Sequence, residues 1–346
     1  MKKRRFGWWL GGAITILVLL GLRFVPLNTY IETPGTADNL QNFVDMPTRP
    51  DKRAGKFMIT SVYLQRATPL SWLWAHADPH ASIEDAADVT GGQSGATYDK
   101  VQSFYMQSAI NEAIATAYKT AGASYTKKYL GIYVLDVAKS SHFKKQISVG
   151  DTVTKVDGVH YDSASGYQKA LANRKPTDKV TVTYVHNGKT KTAREQLIKL
   201  PGGRSGIGIT LTDNVKVTTK VPVEVNPGEI GGPSGGLMFS LQIYQQLTNE
   251  NLRHGRKIAG TGTIGADGSV GEIGGIDKKI VAAHNAGATV FFAPYVKPTK
   301  ALLKYEPDHM TNYQLAKKTA KKYAPGMKVV PVSSFKDAVH YLQTHH

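Results

Sequence analysis

The chain has 346 residues, enough for two domains that each bury a core. It contains no cysteine, which excludes disulfides, thiolate zinc sites and a cysteine nucleophile. A formal net charge of +17 admits nucleic acid or an anionic membrane or wall as a partner. The cations are scattered, apart from clusters at Lys2 to Arg5 and Lys317 to Lys322, so we expect a solvated basic surface and no nucleic-acid partner.

Lys2-Lys3-Arg4-Arg5 precedes an uncharged stretch from Phe6 to Leu22. That length is at the short end for a membrane-spanning helix, and Arg23 can extend it by snorkelling. Trp8 and Trp9 sit where an interfacial belt would. The four cations orient the N-terminus to the cytoplasm and everything after Arg23 to the outside. A cleaved signal peptide is the competing reading, but no small-x-small site directly follows the apolar run. Residues 1–27 are therefore expected to form a basic tip and an uncleaved anchor in the cell membrane, with the rest of the chain extracellular.

Asn28 to Gly55 is rich in Pro, Asp, Thr and Asn and reads as an extended connector. Lys56 to Gln65 has strand composition, and Pro69 to Ala96 reads as irregular. Tyr98 to Ala121 predicts a helix, because Val101, Tyr105, Ala109, Ala113 and Ala117 recur at i, i+4. Thr97 is its expected N-cap and Gly122 its stop.

From Tyr129 to Lys199 short strand-like runs alternate with turns. Strands are expected at Gly131 to Leu135, Asp151 to Val156, Lys179 to His186 and Lys191 to Leu200. Asn187-Gly188 is a hairpin signal, and Ser163 to Asn173 is the one helix-like segment. After Pro201 the pattern alternates β and α. Strands are expected at Ile207 to Leu211, Val215 to Val225, Lys257 to Gly265, Thr289 to Ala293 and Lys328 to Val332. Helices are expected at Gly235 to Leu247, Ile276 to Ala286, Asn312 to Tyr323 and Phe335 to Gln343. The class is α+β or α/β.

Gly231-Gly232-Pro233-Ser234-Gly235-Gly236 places a serine among glycines just before an apolar run. Glycines let backbone approach a substrate carbonyl, and the first amides of the following helix point outward, ready for an oxyanion. A glycine-rich loop capped by Ser234 is the structural alternative. No H-E-x-x-H occurs, and Pro79 lies between His76 and His80, so no metal is expected. Gly260 to Gly265 fits G-x-G-x-x-G, but Asp267-Gly268 and another short strand follow, so it reads as strand and turn. No G-x-x-x-x-G-K-[ST] is present, and neither ATP nor any other cofactor is expected. The histidines after Ser234, at His254, His284, His309 and His340, stand in no recognisable triad setting.

A lysine is then the remaining general base, provided that burial lowers its pKa. Ile276, Lys279, Ile280 and Ala283 fall on one helix face, which places Lys279 on the apolar side and Lys278 toward solvent. A Lys279 that merely snorkels at the helix edge remains open on spacing alone.

Two resemblances join these observations. Tyr129-Leu130-Gly131-Ile132-Tyr133-Val134, with Val149 to Val153 and Lys155 to Gly158, resembles a PDZ domain. That resemblance implies a peptide-binding loop and strand edge at Leu130, Gly131, Ile132 and Tyr133. Gly232-Pro233-Ser234-Gly235-Gly236 is similar to the serine motif of Lon proteases, and Gly274 to Lys279 with Ala282-Ala283 and Ala286-Gly287 is similar to their lysine motif. This implies Ser234 as nucleophile and Lys279 as general base. It also implies Thr261 as support for the lysine and Gly232 as a candidate oxyanion donor. Gly231 stands where the motif has an aspartate.

The whole chain resembles membrane-anchored, PDZ-containing, Lon-like Ser–Lys proteases of Gram-positive bacteria, and Tyr30 to Ala37 looks typical of that group. The resemblance implies a Lon-type proteolytic domain with an inserted PDZ domain, behind one N-terminal transmembrane helix. The expected divisions are 1–27 anchor, 28–124 connector plus the opening of the protease fold, 125–201 PDZ, and 202–346 proteolytic core. The expected activity is an ATP-independent serine endopeptidase acting on extended peptides, or on secreted or membrane proteins. The PDZ module would bind substrate or regulate access. The alternative is an inactive PDZ peptide-binding scaffold at the cell surface.

Overall fold

The computed structural model describes residues 15–304 and 306–345. Helix α1 covers 15–24, and its apolar side chains, Ile16 to Leu20 and Phe24 among them, are exposed. Residues 6–14 of the expected anchor lie outside the described residues. Among the described residues no helix is long and apolar enough to cross a membrane. Strand β1 (Thr29–Asn39) then runs through the segment expected to be a connector. Its Pro34 and Gly35 hide the strand from pattern reading. The structure absorbs them in a register shift against strand β2 (Lys56–Arg66) between Pro34 and Ala37. A Cβ on Gly35 would lie 2.6 Å from Ser61 Oγ, so only glycine lets these strands close.

The stretch expected to be irregular holds a short helix, α2 (Pro69–Ala75), and strand β3 (Ser82–Asp85). The long helix α3 (Gly95–Thr120) starts earlier than Tyr98. Ser94 is its N-cap, accepting the Thr97 N–H at 3.3 Å, so Thr97 sits one turn inside.

An antiparallel sheet follows. Its strands are β4 (Tyr125–Val137), β5 (Thr152–Val156), β6 (Lys179–His186), β7 (Lys189–Gln196) and β8 (Ile209–Thr219), with helix α4 (Ala164–Ala172) between β5 and β6. The spatial order is β8-β4-β5-β6-β7. Asn187 and Gly188 both take positive φ, as the tight β6–β7 hairpin requires. Two expected strands at 207–211 and 215–225 are in fact the single strand β8, which crosses Asp213-Asn214 with a bulge and pairs along the whole of β4. This domain buries its own core around Ile132, Val134, Phe143, Val153, Tyr167 and Val182.

The remaining elements are α5 (Gly236–Thr248), β9 (Lys257–Gly260), α6 (Ile276–Asn285), β10 (Val290–Pro294), α7 (Asn312–Tyr323), β11 (Lys328–Val332) and α8 (Phe335–Thr344). Strands from both ends of the chain share one sheet in the order β11-β10-β9-β2-β1-β3. β9 is parallel to both β10 and β2, whereas β1 is antiparallel to β2. Alternate residues serve opposite faces, as pleating demands. Phe57, Ile59, Ile258 and Phe292 pack with α3, α5 and α8, while Met58, Ala259 and Phe291 pack with α6 and α7. A three-layer core results, and α5 and α6 lie on opposite faces of one sheet.

The two sheets meet along α3. Phe104 stacks on Tyr133, with ring centroids 3.6 Å apart and planes 12° apart. Val101 and Tyr105 join Leu135 and Val149 around them, and Lys100 Nζ donates to Val149 O at 2.8 Å.

Candidate active site

The site forms where β9 ends, outside the carboxyl end of a parallel strand, the position at which α/β sheets open a crevice. Ser234 arrives from one face of the sheet, in a 310 turn (Pro233–Gly235) that leads directly into α5. Gly232 precedes it at φ 82° and ψ 160°, a region essentially reserved for glycine. Two donors fix the Ser234 carbonyl, Gly262 N–H at 2.8 Å and Thr261 Oγ at 3.1 Å. Leu237 N–H returns to Gly262 O at 3.1 Å, so the serine turn and the chain leaving β9 are laced together.

Lys279 arrives from the opposite face. Gly275, at φ 66°, turns the chain into α6, and the Lys279 N–H bonds its carbonyl at 3.0 Å in the first turn. Ile276, Ile280 and Ala283 are buried against the sheet, and Lys279 is 3 % exposed beside them. Its Nζ lies 2.8 Å from Ser234 Oγ and 3.1 Å from Thr261 Oγ1. Among the described residues no carboxylate bonds it. Burial therefore pushes the ammonium down from the ordinary 10.5 to about 8, against a raising pull from Glu32. The snorkelling alternative does not describe this side chain, which runs inward.

Thr261 has one hydroxyl hydrogen, and Ser234 O takes it. Its oxygen is then left to accept from Lys279. A neutral lysine so held has one N–H committed to Thr261 and its lone pair free for the Ser234 hydroxyl. The arrangement can move a proton from Ser234 Oγ to Lys279 Nζ.

Other expected residues fall elsewhere. Gly232 is beside Ser234, but its N–H donates to Gln102 O at 3.0 Å and does not face an empty oxyanion position. The four PDZ residues do not act as one loop. Gly131 pairs with Asn214, and Ile132 and Tyr133 pair with β8 on one side and with Val153 and Thr152 of β5 on the other. β4 therefore has no free edge at Ile132 and Tyr133, where β8 pairs on one side and β5 on the other, while Leu130 falls in the register shift between Tyr129 and Gly131. Ile132 points into an apolar groove with Tyr167 and Leu171 of α4 and Ile207 and Ile209. Tyr133 points away, onto Phe104.

Lys278 does not point to solvent as its spacing predicts. It is buried, because α6 packs on β1 on that side, and its Nζ is 3.5 Å from Glu32 Oε2 and 3.0 Å from Asp277 Oδ2. Burial raises the Glu32 carboxyl above its ordinary range while Lys278 draws it down. Glu32 carries no local signal, because it lies in a segment whose Pro, Asp, Thr and Asn content reads as a connector. Gln102 was missed for another reason, since its main-chain carbonyl does the work. It also accounts for Gly231, where a Cβ would lie 3.0 Å from Gln102 Cβ. Among the described residues no group of three or more His, Cys, Asp or Glu could hold a metal ion.

Residues 120–197 match the PDZ domain family model, and residues 192–320 match the Lon protease (S16) C-terminal proteolytic domain. The Lon protease of Buchnera aphidicola subsp. Schizaphis graminum is 25% identical over 174 residues, 49% of this chain and 21% of that protein. The Lon protease of Heliobacterium modesticaldum is 34% identical over 86 residues, 24% of this chain and 10% of that protein. The chain thus spans about a fifth or less of these relatives' length. Among solved structures, the PDZ domain of an SdrC-like protein from Listeria monocytogenes is 30% identical, covering 24% of this chain and 90% of that one, with a TM-score of 0.24. The chain carries a PDZ domain and a Lon-type C-terminal proteolytic domain.

Proposed function

We propose that the protein is a serine endopeptidase in which Ser234 and Lys279 form a catalytic dyad. The observation that carries the reading is a buried lysine, with a pKa of about 8, whose Nζ is 2.8 Å from a serine Oγ. In this mechanism neutral Lys279 takes the Ser234 proton as Oγ attacks the scissile carbonyl. The resulting ammonium then gives that proton to the leaving amine, and the acyl–serine ester is hydrolysed by water activated by the same lysine. Thr261 acts as a positioning residue that holds the amine toward Oγ. The Ser234 N–H, in the first turn of its short helix, is the nearest donor for the oxyanion. Gly232 can join it only by releasing Gln102.

The substrate is an extended peptide, or a secreted or membrane protein segment already unfolded, cut without ATP. The PDZ groove supplies a second peptide contact or gates the site. We place the work on the outer face of the cytoplasmic membrane, on the strength of Lys2 to Arg5 followed by the uncharged run from Phe6 to Leu22.

The test is cleavage of unstructured peptides by the full chain in detergent. Wild type should cut them, and Ser234→Ala and Lys279→Met should each be folded and inactive. Full activity in Lys279→Met would remove the dyad. Peptide binding by wild type with no cleavage of any peptide would leave the scaffold reading in its place.

A further inference from the structure

Helix α2 has an unusual surface. Its sequence, Pro69-Leu-Ser-Trp-Leu-Trp-Ala75, is almost entirely apolar, yet the helix is too short to bury more than one side. Thr68 and Ser71 form a capping box that fixes its start, and only Ala75 is buried, against Ile31 and Ala67. Leu70 is 51 % exposed, Leu73 60 % and Trp74 54 %, and Trp72 is also exposed. Soluble surfaces rarely group large apolar side chains in this way without a partner.

The chain's path says what that partner is. α1 ends at residue 24, and Leu27 is fastened to the approach to α2: its N–H donates to Ala67 O at 2.7 Å, and its carbonyl accepts from Arg66 Nε at 2.9 Å. The three residues from Phe24 to Leu27 span at most about 10 Å. Pro69, the first residue of α2, stands two residues beyond Ala67, so the end of α1 lies within about 20 Å of the start of α2. Two tryptophans beside leucines on a one-sided helix are the composition that settles at the headgroup level of a bilayer, where an apolar ring body and a polar N–H are both satisfied.

We propose that α2 is a membrane foot: Leu70, Trp72, Leu73 and Trp74 seat in the interfacial layer of the bilayer next to α1. The proposal rests on the membrane placement proposed above. Two attachments hold the protein more rigidly than one. With α1 and α2 both seated, the protease domain keeps one fixed face toward the lipid, since α2 follows directly on β2 of the central sheet.

The chain has four tryptophans, and a Trp8→Phe/Trp9→Phe variant leaves only Trp72 and Trp74. This full-length variant is reconstituted into phosphatidylcholine/phosphatidylglycerol vesicles, with or without brominated acyl chains, and is checked by flotation. We expect it to float and brominated lipid to reduce its tryptophan emission roughly two-fold or more, as for indoles at the interface. If the protein floats but its emission is unchanged by bromine, the foot is overturned while the membrane placement stands. Unquenched emission that shifts with protein concentration would assign the patch to a second copy, which also overturns it. Failure to float would remove the membrane placement, and the foot with it.

Discussion

Replacing Lys279 by Met should stabilise the fold while abolishing catalysis. Lys279 is fully buried among Ile276, Ile280 and Ala283, and its pKa falls from 10.5 to about 8. The unfolded chain therefore binds more protons than the native state between these values, so wild-type stability rises with pH across that window. At pH 7 both states are largely protonated, and the native state bears an opposing term of about 3 kcal/mol from the buried ammonium. By pH 10 the native lysine is neutral and that term has shrunk to about 1 kcal/mol. Methionine fills a similar volume without the charge, at the loss of the bonds to Ser234 and Thr261, each about 1 kcal/mol. A net gain of about 1–2 kcal/mol at pH 7 follows. Denaturant unfolding of both proteins at pH 7 and pH 10 measures it. The difference between them should fall by about 2 kcal/mol over that interval, whatever the lost hydrogen bonds contribute. A variant less stable than wild type by the same amount at both pH values would refute a lysine held against its charge.

The same shift predicts that peptidase activity rises with pH through about 8 and falls to about a tenth of its plateau near pH 7. Glu32→Gln removes the carboxylate that raises Lys279, so the rising limb of the pH–rate profile should move to lower pH. Gly232→Ala meets φ 82° and should lower kcat more than KM, at a stability cost of about 1–3 kcal/mol readable in a denaturant melt. Arg253 is fully buried and holds Asp51 through two bonds of 2.7 Å, while burial of Asp51 opposes them; the carboxyl ends below its usual range. Arg253→Met should therefore cost about 3–5 kcal/mol, and Asp51→Leu/Arg253→Met should recover most of it.

Local patterns carried the site further than they carried the fold. Ser234 and Lys279 were legible because each lies in a short run whose glycines and apolar spacing are sequence-local, and the helices at 276–285 and 312–323 follow the same logic. β1 was not legible, because Pro34-Gly35 reads as a break and only pairing with β2 makes it a bulge. Asp51 and Arg253 stand 202 positions apart, and no spacing announces a bond between them. Around Leu130 to Tyr133 the sequence does not show the topology: Ile132 lines the groove beside α4, but the strand edge is paired. A strand resembling a free edge acquired β8 from beyond the next three strands, and Tyr133 was turned onto α3. The groove beside α4 could be found only once β8 had been placed.

Lys278 and Lys279 make the limit of pattern reading concrete. They are neighbours of one type, and both are buried. One step along a helix turns the side chain by about 100°. That step carries Lys278 to the carboxylates of Glu32 and Asp277, 3.5 and 3.0 Å from its Nζ. It carries Lys279 to the hydroxyls of Ser234 and Thr261, where no carboxylate bonds the charge and desolvation works against it. Spacing identified which lysine faces the apolar side. In the proposed dyad, what leaves its amine open to act as a base is the absence of a bonded acid on that side among the described residues, with one bonded on the other. Glu32 serves both residues: it pairs with Lys278 directly, and its field keeps Lys279 from falling further. Burial lowers the Lys279 pKa, and a carboxylate on a strand from the beginning of the chain limits how far it falls.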